Sequence, residues 1–466
     1  MAHRPDTPEA LAEHAARQLA SAVGAGERLC VGYSGGLDST VLLDVLAGQR
    51  ARGGFVLEAL HVHHGLSPNA EAWADACAAF SRALGVPLRV VRVRVDRADR
   101  AGLEGAARRE RREALAASGA RAIALAHHRD DQAETVLLQA LRGTGLKGLA
   151  GMGPVHEALG VRWVRPFLEV PRAAIASYAR ARGLAWIEDE SNASTDFDRN
   201  FLRHEGLARL SARFPQAPGA LARLASHAAS AERLLQALAR QDAGAPLESP
   251  RLPAAPLRAL PEERAANVLR QWIAAHGGAM PGTARLADMR RQLLFARIDA
   301  DVRLLHEGLL LARDGTALAI EPAGEWPGGW EVAWRGEAVV ALGGARGEVR
   351  FEPREGEGLS ADRVATGQWR FGPRRGGERI RIAPGRPTRT LRNLFQEGRV
   401  PAWARERLPL LFEGERLAWV PGVGVGAEFL ARPGEPGLAP CWTPDSRPES
   451  PLAPRNRGMG CARMKS

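Results

Sequence analysis

The chain has 466 residues, of which 45% are hydrophobic, and a formal net charge of +11. That length and apolar content suit about two to four packed domains. No run approaches the roughly 18 apolar residues of a membrane span, and the N-terminus lacks the apolar stretch of a signal peptide, so a soluble cytoplasmic protein without a membrane partner is expected.

In chain order, Leu29-Cys30-Val31-Gly32-Tyr33 reads as a buried parallel strand, and the apolar run from Thr40 to Leu46 as the helix after it. Between them lie Ser34-Gly35-Gly36-Leu37-Asp38-Ser39. Paired glycines let backbone approach an anion closely, and the amides and dipole of a helix start favour negative charge there. Ser34 and Ser39 offer hydroxyl donors. Asp38 is a carboxylate where a phosphate belongs, which a divalent cation carried by the nucleotide resolves. The loop lacks the lysine of a Walker motif.

A strand from Phe55 to Val62, a helix from about Ala70 to Leu84, a strand from Leu88 to Val95, a helix around Glu104 to Ala117 and a strand from Ala122 to Ala126 follow. Such alternation predicts a doubly wound parallel sheet with its ligand at the carboxyl ends of the strands. The fourth strand runs into His127-His128-Arg129-Asp130-Asp131-Gln132-Ala133-Glu134. A helix starting near Asp131 puts Asp131 and Glu134 on one face, where two acids and a histidine can bind magnesium and manage protons. The bland reading competes: Asp130 or Asp131 caps the helix and Glu134 completes a capping box.

Residues 206–321 are Ala- and Leu-rich and read as a helical domain; 322–358 as a linker or β-like connection; 359–432 as a small, basic α+β domain; and 433–466 as a disordered tail. Charge is clustered. Eleven Arg face five acids between Ser81 and Arg121, and eleven face three between Arg370 and Arg407. Concentrations of this kind usually meet phosphates. Cys30, Cys77, Cys441 and Cys461 form no C-x-x-C pair, which argues against a zinc ribbon or iron–sulfur centre.

The hexapeptide resembles the loop of the PP-loop ATP pyrophosphatases. Its order with Glu104-Gly105-Ala106-Ala107-Arg108-Arg109-Glu110-Arg111, the His127–Glu134 run, Arg142-Gly143-Thr144-Gly145, Arg165-Pro166-Phe167, Glu188-Asp189-Glu190-Ser191-Asn192 and Arg199-Asn200-Phe201-Leu202-Arg203 resembles the tRNA(Ile)-lysidine synthetases. Leu391-Arg392-Asn393-Leu394-Phe395-Gln396, Val400-Pro401-Ala402-Trp403 and Trp419-Val420-Pro421-Gly422 extend the likeness to the C-terminal unit. Arg112 stands where that family often has tyrosine, and Ser67 where it often has arginine. The resemblance implies an adenine-nucleotide α-hydrolase-like fold and an ATP- and Mg2+-dependent ligase. It implies adenylation of the wobble cytidine of tRNA(Ile) with a CAU anticodon, and displacement of AMP by L-lysine. It also implies site residues: Ser34, Gly35, Gly36, Leu37, Asp38 and Ser39 for ATP, Asp38 for the metal, and Asp38, Arg108, His127, Asp131 and Glu134 for catalysis. A homodimer is compatible with the sequence. A PP-loop thiolase, a PP-loop amidotransferase and a non-catalytic RNA-binding protein are the competing readings; the missing C-x-x-C, the missing glutaminase domain and the intact acids weigh against them in turn.

Overall fold

A computed structural model of the chain describes residues 7–443 except 97–98, 100–101, 189–197, 298–299, 301, 315, 324–328, 344–345, 399 and 401–404. The expected motifs Asp189-Glu190-Ser191-Asn192 and Pro401-Ala402-Trp403 lie outside the described residues. The chain divides into two compact units, Met1–Leu234 and Leu235–Ser466. Among the described residues no helix is long and apolar enough to cross a membrane.

The first unit opens with α1 (Pro8–Ala20), β1 (Arg28–Gly32), α2 (Leu37–Gly53), β2 (Val56–His63), α3 (Ala70–Ala83), β3 (Leu88–Arg92), α4 (Gly102–Ala116) and β4 (Ala122–Ala124). It continues through α5 (Arg129–Leu141), α6 (Leu146–Leu149), β5 (Val155–Ala158), β6 (Val161–Val164), α7 (Arg172–Ala181) and α8 (Asp198–Phe201). A π-helical turn, Leu202–Gly206, then leads to α9 (Leu207–Arg213) and α10 (Ala217–Asp242). The strands form one sheet in the order β3-β2-β1-β4-β6-β5, parallel except for β5 at the edge.

The apolar runs explain the layering. Leu29 and Val31 of β1 face a core with Leu11 and Leu19 of α1 and Ile175 and Tyr178 of α7, whereas Cys30 faces Leu60, Leu115, Ile123 and Trp163 on the opposite side. That alternation is the period of a strand covered on both faces. Residues 39–46 of α2 are all buried because α1 and α7 cover what the sheet leaves. Asp44, caught in that layer, accepts from the Tyr178 hydroxyl at 2.7 Å and Arg182 Nε at 3.4 Å. The strand order reverses between β1 and β4, so a crevice opens where their carboxyl ends diverge.

The second unit begins with β7 (Arg251–Pro253), α11 (Ala254–Ala259), α12 (Glu262–Ala275), α13 (Thr283–Phe295), β8 (Arg303–His306), β9 (Leu309–Asp314) and β10 (Ala317–Pro322). The helical domain expected at 206–321 also contains strands: β7-β10-β9-β8 form an antiparallel sheet that shares a core with its helices. Short apolar runs such as Leu309-Leu310-Leu311 fit a helix or a strand equally by periodicity. Glu307 and Gly308, at φ 44° and 75°, make the left-handed two-residue turn that closes the β8–β9 hairpin.

The remainder comprises β11 (Val332–Trp334), β12 (Val339–Ala341), β13 (Glu348–Glu355), β14 (Leu359–Ser360), α14 (Ala361–Thr366), β15 (Trp369–Gly372), β16 (Arg379–Ile380), β17 (Arg389–Thr390), α15 (Leu391–Glu397), β18 (Leu410–Glu413), β19 (Arg416–Val420), β20 (Gly424–Val425) and β21 (Pro436–Thr443). Two antiparallel sheets, β11-β15-β18-β19-β20 and β12-β13-β21-β14, share a core of Trp334, Phe351, Trp369, Phe371, Trp419 and Phe429. Two boundaries change as a result. Residues 322–358, expected as a linker or β-like connection, carry β11, β12 and β13 and contribute the core aromatics Trp334 and Phe351. Residues 436–443, expected in a disordered tail, form a strand instead: β21 pairs with β13 over Glu348–Glu355, and Trp442 Nε1 donates to the Arg346 carbonyl at 2.8 Å.

Candidate active site at the sheet's switch point

The phosphate loop leaves β1 and enters α2 at the crevice. Gly35 sits at φ +85°, and a Cβ there would lie 2.4 Å from Ile187 Cδ1 and 2.8 Å from Cys77 Sγ, so only glycine is accommodated. Ile187 N donates to the Gly35 carbonyl at 2.9 Å, and the His61 ring on β2 meets the Tyr33 carbonyl at 3.0 Å. Gly36 is the N-cap of α2 and no side chain caps that end, which leaves its first-turn amides directed at the crevice. Ser34 is exposed. The Ser39 hydroxyl donates to the Gly36 carbonyl at 3.0 Å and sits 3.0 Å from Ser34 Oγ, which braces the loop. Leu37 packs on the core below.

Asp38, in the first turn of α2, is 29% exposed. Its Oδ2 lies 3.6 Å from His128 Nε2 and its Oδ1 3.8 Å from Arg172 Nε; Oδ1 is buried and accepts no hydrogen bond. A carboxylate oxygen left this way at a phosphate loop is suited to a cation.

From the end of β4 comes the second wall. Helix α5 starts at Arg129, two residues before the expected start, and the capping pair differs from either expected one. His128 is the N-cap: its Nδ1 accepts from Asp131 N at 3.3 Å, and Asp131 Oδ2 accepts from His128 N at 3.0 Å. Asp131 thus closes the capping box of α5, while Glu134 takes no part in the cap. Burial opposes charge on His128, but Asp38, Asp131 and Asp130 outweigh it and raise its pKa. His127 goes the other way. Burial, with Arg165, Arg199 and Arg108 overcoming the pull of Asp131, pushes it down to about 3, and its Nδ1 is buried without a hydrogen bond. It is a neutral ring at physiological pH.

Asp131 and Glu134 do converge on one helix face, but arginines already face them. Glu134 is 2% exposed; Arg203 Nε donates to its Oε1 at 2.6 Å, Arg203 Nη2 to its Oε2 at 2.9 Å, and Arg199 Nε to the same oxygen at 3.2 Å. Arg203 Nη2 also reaches Asp131 Oδ1 at 2.8 Å. Burial opposes ionisation of Asp131, yet His128, His127 and Arg199 hold its carboxyl below the usual range. Arg199 and Arg203 stand one turn apart, as do Asp131 and Glu134, and the π-helical turn carries Arg203. The acids were legible in the sequence and their partners were not, although the paired Arg199-x-x-x-Arg203 spacing was the available signal.

Arg108 on α4 is exposed and lies near enough to His127 and Arg165 to shift both electrostatically. Arg165 is 8% exposed and donates to the Gly153 carbonyl at 2.8 Å. Burial, with Arg108 and Arg112, lowers its pKa to about 10. Arg112, at the position where tyrosine was expected, sets its guanidinium 5.4 Å from the Trp163 ring centre.

A glycine loop beneath a helix N-terminus, with an aspartate facing it at the switch point of a parallel sheet, makes this a PP-loop nucleotide-binding domain, and a PP-loop domain family model matches residues 11–210. ATP is the nucleotide of such domains. A TilS substrate binding domain matches residues 252–317 and a TilS substrate C-terminal domain residues 368–442. The tRNA(Ile)-lysidine synthase of Azoarcus sp. is 43% identical over 431 residues, covering 92% of this chain and 94% of the relative. That of Aromatoleum aromaticum is 42% identical, covering 91% and 99%, and that of Burkholderia pseudomallei 44%, covering 85% and 89%. The chain belongs to the tRNA(Ile)-lysidine synthase family.

Proposed function

We propose that this chain ligates L-lysine to C2 of the wobble cytidine of tRNA(Ile) bearing a CAU anticodon, consuming ATP and releasing AMP and pyrophosphate. The observation that carries the reading is the convergence, at one crevice, of the phosphate loop with the acids and arginines of α5 and the π-helical turn. The C2 carbonyl oxygen of cytidine attacks the α-phosphorus, and the amine of lysine then displaces AMP at C2.

Residues 34–39 hold the triphosphate through backbone amides and the Ser34 hydroxyl. Among the described residues no cluster of three metal-ligating side chains exists, so magnesium fits only as an ion whose shell the nucleotide completes, with Asp38 Oδ1 as the protein ligand. When bound it supplies charge neutralisation as pyrophosphate leaves. Arg108, exposed beside His127, faces the α-phosphate or the adenylated base. His127 stays neutral, so it orients the base or the nucleophile by hydrogen bonding and contributes no charge.

Lysine's amine has a solution pKa of about 10.4 and must lose a proton to attack. Of the two acids, Asp131 is the better attractor of an ammonium, since its side chain is 11% exposed against 2% for Glu134. Glu134 anchors Arg199 and Arg203. Those guanidinium groups beside an incoming ammonium favour its neutral form by like-charge repulsion.

The test is AMP release from ATP and tRNA(Ile) transcript, with and without lysine, alongside covalent lysine incorporation into the tRNA. Wild type forms lysidine only with all components present, and Asp38→Ala abolishes AMP formation while retaining the wild-type circular dichroism spectrum. Lysine-independent turnover with no incorporation refutes the reading; near-normal turnover of Asp38→Ala refutes the metal role.

A further inference from the structure

The sheet's switch point holds one arginine to which the reaction above gives no work. Arg172 is the first residue of α7, its side chain is 57% exposed, and its Nε stands 3.8 Å from Asp38 Oδ1. At that length it makes no hydrogen bond, and an ion pair so exposed adds little to stability. Its backbone, by contrast, is fixed. Arg172 N donates to Asp130 Oδ2 at 2.9 Å, and two residues earlier the Val170 carbonyl accepts from Arg129 N at 2.9 Å. These two bonds staple the start of α7 to the start of α5, whose N-cap His128 also faces Asp38. The result is a solvated guanidinium on an immobile base, directed at the aspartate that enters the nucleotide site.

We propose that Arg172 is a catalytic residue of the adenylation step, binding the departing pyrophosphate, and that Asp130 is its positioning residue. The proposal rests on the ligase reading given above. In that step the cytidine oxygen bonds to the α-phosphorus, the bond from the α-phosphorus to its bridging oxygen breaks, and the electron pair leaves on pyrophosphate. Negative charge therefore grows on the β-phosphoryl side. The loop amides and Asp38 approach the chain of phosphates from α2, and Arg172 sets a guanidinium opposite them at the start of α7. Once Asp38 is neutralised by the cation it carries, Arg172 loses its one acidic side-chain neighbour among the described residues, and its fork of donors is free to turn to a phosphate, the geometry for which guanidinium is suited. An interaction that strengthens as charge develops accelerates the step instead of tightening the ground state.

The experiment compares wild type, Arg172→Ala, Arg172→Lys, Asp130→Ala and Asp130→Asn in full-length protein. Adenylation is measured under single-turnover conditions without lysine, the lysine step on isolated adenylated tRNA, and inhibition by inorganic pyrophosphate separately. Arg172→Ala is expected to slow adenylation by about 100-fold or more, with ATP affinity changed much less. Its pyrophosphate inhibition constant rises at least about tenfold, and its lysine step stays at the wild-type rate; Arg172→Lys recovers part of the loss. Asp130→Asn keeps an acceptor for Arg172 N and should stay near wild type, whereas Asp130→Ala should fall part of the way to Arg172→Ala. Adenylation within about threefold of wild type in Arg172→Ala overturns the proposal, as does a loss confined to ATP affinity or shared equally by the lysine step. A wild type without lysine-dependent chemistry would refute the ligase reading itself, an outcome distinct from any of these.

Discussion

Removing Arg203 tests whether the arginine clamp holds the acid pair in place. In Arg203→Ala, Glu134 loses the bonds at 2.6 and 2.9 Å, and Asp131 loses the one at 2.8 Å. Glu134, 2% exposed in the wild type, keeps Arg199 Nε at 3.2 Å. Breaking a buried ion pair from one side costs about 3–5 kcal/mol, because the remaining charge is stranded. Arg203 is 34% exposed at its side chain, which lets water and Arg199 recover part of this, so about 2–4 kcal/mol is expected. In a unit of this size that is a drop of roughly 5–15 °C in Tm. Arg203→Lys keeps the charge but cannot make both bonds to Glu134, and should lose about half as much. Glu134→Gln alone leaves two guanidinium groups facing a neutral amide, and the pair Glu134→Gln with Arg203→Met should be less destabilised than the sum of the singles by about 1–3 kcal/mol. Urea unfolding monitored by circular dichroism measures all five variants, the Arg203→Met single included. A loss under about 0.5 kcal/mol in Arg203→Ala, or strictly additive singles, would refute the clamp.

Asp131→Asn is expected to slow attack by lysine more than adenylation, so that adenylated tRNA accumulates; complete loss of adenylation instead would assign the residue to the nucleotide or its metal. Arg379, Arg381, Arg386 and Arg392 are exposed and pair with no acid among the described residues, unlike Arg370, Arg374, Arg375, Arg389 and Arg407, which pair with glutamates. Replacing the first four with Ser should weaken tRNA binding and flatten the slope of log affinity against log salt by about 3, with ATP affinity unchanged; an unaltered slope excludes these four arginines as phosphate contacts. His127, held down to about 3, stays neutral when folded but takes up a proton when unfolded below its ordinary value. Its contribution is complete above about pH 6.5 and is lost as pH falls toward 3, at up to about 1.4 kcal/mol per pH unit. His64 and His156, each pushed down to about 4, chiefly by burial, act in the same direction. Unfolding midpoints measured from pH 7.5 to 5 should therefore fall, and fall less steeply in His127→Asn; identical slopes would contradict the buried neutral ring.

Local chemistry was readable from the sequence wherever a position tolerates only one kind of residue. Gly35 is demanded by its positive φ and by the closeness of Ile187 and Cys77, so the loop announces itself. Strands β1 and β4 are continuous apolar runs because both faces are covered, and the alternation of strands and helices gives the doubly wound sheet. The pairing of Asp131 with Glu134 follows from helical spacing alone. What the sequence left open depends on groups distant along the chain. Only the fold brings Arg203 across 69 residues to Glu134, and so turns two acids into a neutralised cluster. It likewise decides that His127 is neutral while its neighbour His128 is drawn toward charge, since burial and the surrounding carboxylates and guanidinium groups act through space. The antiparallel sheet at 251–322 and the strand at Pro436–Thr443 escaped notice for a related reason: a short strand is stabilised by its partner's hydrogen bonds, and its own residues carry little record of where that partner lies.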